Sequence, residues 1–153
     1  PHNPENIMQL IPEPLSHLNY AGRLDKDSEG IVILSGDGDL IFRLTHPKFG
    51  HTKTYEIQVR GKPTKEDLLP LKSGKMRLDD KILNPIDFEI LAPGKIRLIL
   101  SEGRKRQIRR LMDSLGFPLL YLCRTAIGRL QLTGLKPGEW KELSEEEIQK
   151  ALS

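Results

Sequence analysis

Two hydrophobic spacings alternate along the chain and predict its secondary structure. Apolar and polar residues alternate over 53–60, which predicts a strand with Tyr55, Ile57 and Val59 on one face. Apolar and β-branched runs predict further strands within 31–34, 82–91, 95–100 and 119–132. A turn at 36–38 closes the first of these runs, and the Ala-Pro-Gly sequence at 92–94 predicts a hairpin between the second and third.

Helical signals are shorter and lie between the strands. Residues 39–44 and 104–115 have helical spacing, and Thr64 and Ser144 are typical N-caps of two further short helices. Residues up to 18 read as irregular or as a short helix. Because predicted strands outnumber helices and turns join neighbouring strands, we predict an α+β fold with a mainly antiparallel sheet.

Composition limits the class of protein. The chain has 153 residues, 37% hydrophobic and 29% charged, which is typical of a single folded domain and excludes a disordered chain. No run reaches the roughly 18 apolar residues that a membrane helix needs, and residues 1–20 do not resemble a signal peptide. One cysteine, Cys123, excludes an internal disulfide and indicates a reducing compartment, so we expect a cytoplasmic protein.

Positive charge is concentrated in one part of the chain. Residues 95–129 hold nine Lys and Arg residues against Glu102 and Asp113, although the net charge of the whole chain is only +3. Such a face favours a polyanionic partner, most commonly nucleic acid, and the alternative is a solvated helix surface. Aromatic residues make up only 5% of the chain, so we expect contacts to the nucleic-acid backbone rather than a base-stacking surface.

The sequence gives no support to a metal or cofactor site. Residues 25–30 imitate the start of a calcium loop, but the twelfth position, where a bidentate Glu is required, is Gly36. The four histidines, His2, His17, His46 and His51, do not have the spacing of metal ligands. We therefore expect no metal and no cofactor.

Two segments remain as candidates for chemistry. Asp25 lies just before a predicted core strand, where it is either a reactive carboxylate or a plain turn or cap residue. Residues 104–110 place five cations at the start of a predicted helix, where positive charge opposes the helix dipole, and this suggests selection for a ligand. The residues alone therefore predict a basic α+β domain that binds RNA or DNA, with one candidate carboxylate.

The chain resembles a known enzyme family in four consecutive motifs. These are Gly-Arg-Leu-Asp at 22–25 with the Gly and Asp-Gly turn that follow, Leu-Thr-His-Pro at 44–47 with Lys-Thr-Tyr at 53–55, the basic block 102–112, and Arg-Thr-Ala-Ile-Gly at 124–128. In this order they resemble the RsuA/RluB/RluE/RluF family of bacterial pseudouridine synthases, closest to its RluE-like branch. The similarity covers residues 20–143.

The resemblance implies a fold and a domain organisation. We expect the pseudouridine synthase catalytic-domain fold, a mainly antiparallel mixed sheet flanked by helices with the active-site cleft across the sheet. Residues 1–153 would form one catalytic domain. The family's usual first strand and its S4-type RNA-binding domain have no counterpart in this sequence. We expect the strand to be missing through truncation, and the S4 domain either through truncation or because the chain belongs to a subgroup that lacks it.

The resemblance also implies a reaction. A uridine of ribosomal RNA, expected in 23S rRNA, would be isomerised to pseudouridine without a cofactor. Asp25 would attack the sugar or the base, or would remove the C2′ proton, and the sequence leaves these routes open. Arg109 would pair with Asp25 in a dry pocket and keep it ionised. Tyr55 would stack on the uracil and assist removal of the C5 proton, and Arg23 would fill the gap left by the flipped nucleotide.

The remaining expectations concern the RNA and competing functions. The predicted substrate-binding residues are Arg23, Leu24, Lys53, Arg104, Lys105, Arg106, Gln107 and Arg110. We expect a monomer that acts on ribosomal RNA, either naked or in an assembling particle, and that has no membrane partner. The alternative class is a non-catalytic RNA-binding or ribosome-assembly module, which would need the basic face but neither Asp25 nor Tyr55. A DNA-binding regulator is disfavoured because the sequence has no helix-turn-helix pattern.

Overall fold

The computed structural model describes residues 18–22, 24–103 and 106–153. In chain order its strands are β1 Asn19–Ala21, β2 Glu29–Gly30, β3 Ile33–Ser35, β4 Lys53–Val59, β5 Arg77–Leu78, β6 Lys81–Ile82, β7 Asp87–Ala92, β8 Lys95–Leu100, β9 Leu119–Ile127 and β10 Leu130–Gln131. Its helices are α1 Gly38–Thr45, α2 Lys65–Leu68, α3 Gln107–Leu115 and α4 Glu145–Ala151, with 3-10 turns at Pro47–Phe49 and Leu69–Lys72.

One sheet organises the molecule. Its strands follow the order β10-β9-β4-β8-β7, and every neighbouring pair on this path is antiparallel. The short β2 pairs with β9 in parallel, which makes the sheet mixed. The structure thus confirms the predicted α+β class and the mainly antiparallel sheet.

Two apolar clusters hold the described elements together. The larger one joins the inward face of β4 and β8 to α3, with Ile57, Ile96 and Leu98 packed near Leu111 and Met112. The smaller one joins α1, α4 and the β1–β3 pair to the end of β9, and it contains Ala21, Ile33, Leu44, Ile127, Leu130 and Ala151. Burial of this kind contributes about 1.5–3 kcal/mol for each large apolar side chain.

Local signals placed several elements correctly. The predicted strand over 53–60 is β4, and its alternation buries Ile57 and Val59. The predicted caps are present, because Thr64 and Ser144 each form a capping box with the acid three residues on. Helix α1 begins after Asp37, whose side chain accepts hydrogen bonds from two backbone N–H groups.

Other elements differ from the prediction. Helix α3 begins at Gln107 rather than 104, because Arg106 has a left-handed backbone with φ of 52°. The strand predicted over 82–91 is interrupted and resumes at Asp87, since Leu83 and Ile86 direct their backbone N–H groups to Met76 and Leu71 instead. The hairpin β5–β6, which turns on left-handed Asp79 and Asp80, and strand β1 were not predicted.

Two further results bear on the predictions. The irregular or helical start predicted up to residue 18 falls almost wholly outside the described residues. Within the described part of the chain, no helix is long and apolar enough to cross a membrane.

Candidate active site

The Gly22–Ile31 loop, which carries Asp25, is pressed against strand β9. Gly30 has a φ of +133°, and a Cβ at this position would lie 2.4 Å from the backbone N and O of Arg124. The backbone N–H of Ile31 donates to the carbonyl of Arg124 over 3.0 Å. This contact requires a residue without a side chain, and it fixes the distance between the loop and the sheet.

The side chain of Arg124 holds both ends of this loop. It is only 2% exposed. Its Nε and Nη2 donate to the carbonyl of Ile31 over 3.0 and 2.8 Å, and Nη2 also donates to the carbonyl of Gly22 over 2.6 Å. The sequence analysis counted Arg124 with the basic face, but this guanidinium is buried and serves the backbone of the loop.

Four charged side chains meet where the loop faces the start of α3. Arg106 Nη1 lies 3.7 Å from Asp25 Oδ2, and Arg106 Nη2 lies 3.6 Å from Asp27 Oδ2. Arg109 Nη2 lies 2.8 Å from the same Asp27 oxygen. We call this chain of contacts, Asp25–Arg106–Asp27–Arg109, the ionic chain.

The ionic chain corrects the expected partner of Asp25. The resemblance implied an Asp25–Arg109 pair, but Arg109 binds Asp27 and Arg106 approaches Asp25. Arg106 precedes the helix with a left-handed backbone and Arg109 lies in its first turn, and both guanidinium groups reach Asp27. The tight turn at Asp25, in which Ser28 N–H donates to the Asp25 carbonyl, brings both aspartates within their reach.

The surroundings of Asp25 also differ from the dry pocket that was expected. Its side chain is 39% exposed, and that of Asp27 is 50% exposed. Arg109 is more enclosed, and its Nε is buried without a hydrogen-bond partner among the described residues. The ionic chain thus lies at the open mouth of a cleft.

This cleft brings together most of the predicted site residues that the structure describes. Its lining includes Leu24, Asp25, Lys53, Tyr55, Arg106, Gln107 and Arg109. Tyr55 is half-buried on β4, opposite Arg124 of β9 in the strand register. Burial lowers the pKa of Lys53, and the nearby charge of Arg124 lowers it further.

The remaining predicted residues lie elsewhere. Arg110 is outside the lining of the cleft, and its two terminal nitrogens donate to Asp79 over 2.6 and 3.1 Å. This bidentate contact raises the pKa of Arg110 and ties α3 to the β5–β6 hairpin. Arg23, Arg104 and Lys105 lie outside the described residues. Within the described ranges, no group of three or more His, Cys, Asp or Glu side chains could hold a metal ion.

Comparison with known proteins decides the family. The family model described as RNA pseudouridylate synthase matches residues 12–114 of the chain. The chain belongs to this family. The match includes the Gly22–Ile31 loop, Tyr55 and the whole ionic chain, whereas β9 and the cleft lining beyond residue 114 lie outside it.

Relatives support the same assignment over a longer stretch. A ribosomal large subunit pseudouridine synthase E of Vibrio vulnificus is 40% identical over 149 residues, which is 86% of this chain and 63% of the relative. A protein of the same name from Xanthomonas campestris is 39% identical over 140 residues, which is 79% of this chain and 74% of the relative. These similarities agree with the RluE-type resemblance seen in the motifs.

A solved structure supports the fold. A crystal structure of a pseudouridylate synthase superposes with a TM-score of 0.90 at 34% identity, covering 95% of this chain and 64% of that one. The pseudouridine synthase catalytic-domain fold is therefore confirmed. This chain spans less than two thirds of the length of both the Vibrio relative and the solved structure.

Proposed function

We propose that the protein is an RNA pseudouridine synthase that isomerises a uridine of ribosomal RNA, with Asp25 as the reacting carboxylate. The observation that carries the proposal is the position of Asp25 at the mouth of the cleft, on a loop fixed to the sheet and 3.7 Å from Arg106. Membership of the family and the names of the relatives support the reaction and the substrate class. Residues 1–153 would act as one catalytic domain.

The reaction exchanges one glycosidic bond for another. The N1–C1′ bond of uridine breaks, the uracil turns within the cleft, and C5 bonds to C1′. The C5 hydrogen is lost to solvent, and N1 gains a proton, so the reaction needs no oxidant and no second substrate. Asp25 would serve as nucleophile or as the base that removes the C2′ proton, and Arg106 is the cation that faces it over 3.7 Å.

The other cleft residues have supporting roles in this proposal. Tyr55 offers a half-buried ring on which the uracil would stack. Asp27 holds Arg109 and also contacts Arg106, so it would position the two cations that face the substrate phosphates and Asp25. Lys53, Leu24 and Gln107 would complete the wall that encloses the flipped base.

RNA outside the cleft would meet the basic start of α3. Arg104, Lys105 and Arg106 would contact phosphates there, and Arg23 would occupy the space that the flipped nucleotide leaves. Arg110 would join them only by exchanging Asp79 for a phosphate. We further propose that the working protein is a cytoplasmic monomer, in keeping with a ribosomal RNA substrate and a single cysteine.

Loss of the C5 hydrogen provides the test. Large-subunit and small-subunit ribosomal RNA transcripts carrying tritium at uridine C5 are incubated separately with the protein, and released tritium is counted. We expect release from the large-subunit transcript, in the amount of one or a few uridines per molecule. Salt-dependent binding without any release would contradict the proposal and would favour the non-catalytic RNA-binding module.

A further inference from the structure

A group of aromatic rings lies beside the cleft, between α1 and β4. It consists of Phe42 of α1, His46 at the C-cap of that helix, Lys48 and Phe49 of the following 3-10 turn, and His51; we call these five residues the aromatic cluster. The ring centroid of Phe42 lies 4.7 Å from that of His46 and 5.9 Å from that of Phe49. The rings of Phe49 and His51 are nearly parallel, with their centroids 6.0 Å apart.

The two phenylalanines of the cluster are exposed although they are apolar. Phe42 is 44% exposed and Phe49 is 40% exposed, and neither belongs to the two apolar clusters of the core. The whole chain has only four phenylalanines, so half of them lie together on the surface. Exposed aromatic rings that lie together, rather than singly, are a candidate binding surface.

The charges around the rings favour a polyanion. Lys48 holds its Nζ over both phenylalanine rings, 5.5 Å from the centroid of Phe42 and 5.1 Å from that of Phe49. Arg43, in the last turn of α1, is also exposed. The cluster itself contains no carboxylate, so its two exposed phenylalanine rings lie next to positive charge, with Lys48 over their faces.

The cluster is continuous with the cleft. His46 and His51 line the same cleft as Asp25 and Tyr55. The Nε2 atom of His51 is buried and has no hydrogen-bond partner among the described residues. His46 and His51 thus border the cleft, whereas Phe42, Lys48 and Phe49 are not part of its lining. A nucleic-acid strand that enters the cleft on this side would pass the rings.

We propose that the aromatic cluster binds an unpaired stretch of RNA next to the target uridine: Lys48 moves off the two rings to hold a phosphate, and bases stack on Phe42 and Phe49 in its place. The proposal rests on the proposed function and deepens it, because it names an unpaired flank as part of the substrate. Ring faces can stack only on bases that are not enclosed in a duplex. Low aromatic content had predicted backbone contacts alone, and the clustering of the rings changes that expectation.

Fluorescence of 2-aminopurine in a single-stranded oligouridine tests stacking directly, because stacking on a ring changes its emission. The wild-type chain is compared with Phe42→Leu, Phe49→Leu and the double variant, which keep apolar volume and remove the aromatic face. We expect affinity to fall about tenfold for each ring removed. Ile90→Ala is the matched control: Ile90 is 38% exposed on β7, at the far edge of the sheet, and affinity should not change.

Lys48→Gln tests the phosphate contact separately. Removal of one phosphate contact should lower the slope of log affinity against log salt concentration by about 0.7 for a single strand. An unchanged slope would remove Lys48 from the interface. Urea unfolding of each variant verifies that the exposed substitutions leave the fold intact.

Three results would overturn the inference: no binding of the probe by the wild-type chain, equal affinity of the double variant, or equal stacking with a fully paired RNA. If the double variant binds RNA with wild-type affinity but no longer self-associates, the rings contact a second copy of the chain instead of RNA. Tritium release from ribosomal RNA reports the proposed function independently. If the wild-type chain releases tritium but the ring substitutions leave RNA affinity unchanged, only this inference is overturned. If the ring substitutions lower RNA affinity but the wild-type chain releases no tritium, only the proposed function is overturned.

Discussion

The loop from Gly22 to Ile31 is held from two sides by arginines in opposite environments. On the sheet side, Arg124 is 2% exposed and donates only to backbone carbonyls in the contacts seen here. On the helix side, Arg106 and Arg109 are 38% and 24% exposed and contact the carboxylates of Asp25 and Asp27. The same residue type therefore anchors the backbone on one side and faces the proposed reacting carboxylate on the other.

This difference separates stability from chemistry. When a buried donor is removed, its carbonyl acceptors stay buried without a hydrogen bond. Each such group costs about 1–3 kcal/mol of stability. Half-exposed ion pairs contribute only about 0–1 kcal/mol to stability, but they set charge and position at the cleft. We therefore expect substitutions on the sheet side to destabilise the fold and substitutions on the helix side to slow the proposed reaction.

Gly30→Ala should have the largest effect on stability. The new Cβ would meet the backbone of Arg124, which cannot move away as a side chain could, and the φ of +133° is unfavourable for alanine. We expect a loss of about 3–5 kcal/mol in the free energy of unfolding, measured in urea. Gly38→Ala is the control, because a Cβ there meets nothing within 4 Å, and its effect should stay within about 0.5 kcal/mol. Equal effects of the two substitutions would show that the loop is not pressed against β9.

Arg124→Met should come next. The substitution keeps a long side chain but leaves the carbonyls of Gly22 and Ile31 without these donors. We expect a loss of about 2–4 kcal/mol in urea unfolding, accompanied by lower activity, since the loop carries Asp25. Arg129→Met removes an exposed arginine just beyond β9 and should cost less than about 1 kcal/mol. A stable and fully active Arg124→Met variant would show that Arg124 does not anchor the loop.

Asp27→Asn should change stability least and activity more. It removes the charge shared by Arg106 and Arg109, so the free energy of unfolding should fall by less than about 1 kcal/mol. Displacement of the two guanidinium groups should slow tritium release by about tenfold to a hundredfold. Glu89→Gln is the matched control, since it breaks the 2.7 Å surface pair with Arg97 away from the cleft. If Asp27→Asn releases tritium as fast as Glu89→Gln, Asp27 does not position groups that the reaction needs.

Local signals in the sequence account for the parts of the fold that were predicted. Alternation placed β4, and capping residues placed the starts of α2 and α4, because these features depend on neighbours within a few residues. The β5–β6 hairpin and β1 were missed because each is only two or three residues long and is defined by its partner strand. The delayed start of α3 depends on the left-handed backbone of Arg106, which residue type does not reveal.

The candidate site was likewise predicted only in part. The motifs predicted the position of Asp25 and of Tyr55 in one cleft, but they paired Asp25 with the wrong arginine. The role of Arg124 had a signal that was not used: it alternates with Leu122 and Ala126 in an apolar strand, and all three are buried. The partner of Asp25 had no such signal, because it depends on how the start of α3 meets the loop.

The role of Asp25 is tested most directly by the rate of tritium release in a single turnover on large-subunit ribosomal RNA labelled at uridine C5. Asp25→Asn keeps the size of the side chain and removes its charge, and Asp39→Asn, an exposed acid in the first turn of α1, is the control. We expect Asp25→Asn to slow release by at least about a thousandfold while urea unfolding and RNA binding stay close to wild type. Release by Asp25→Asn at the rate of Asp39→Asn would contradict the assignment of Asp25 as the reacting carboxylate.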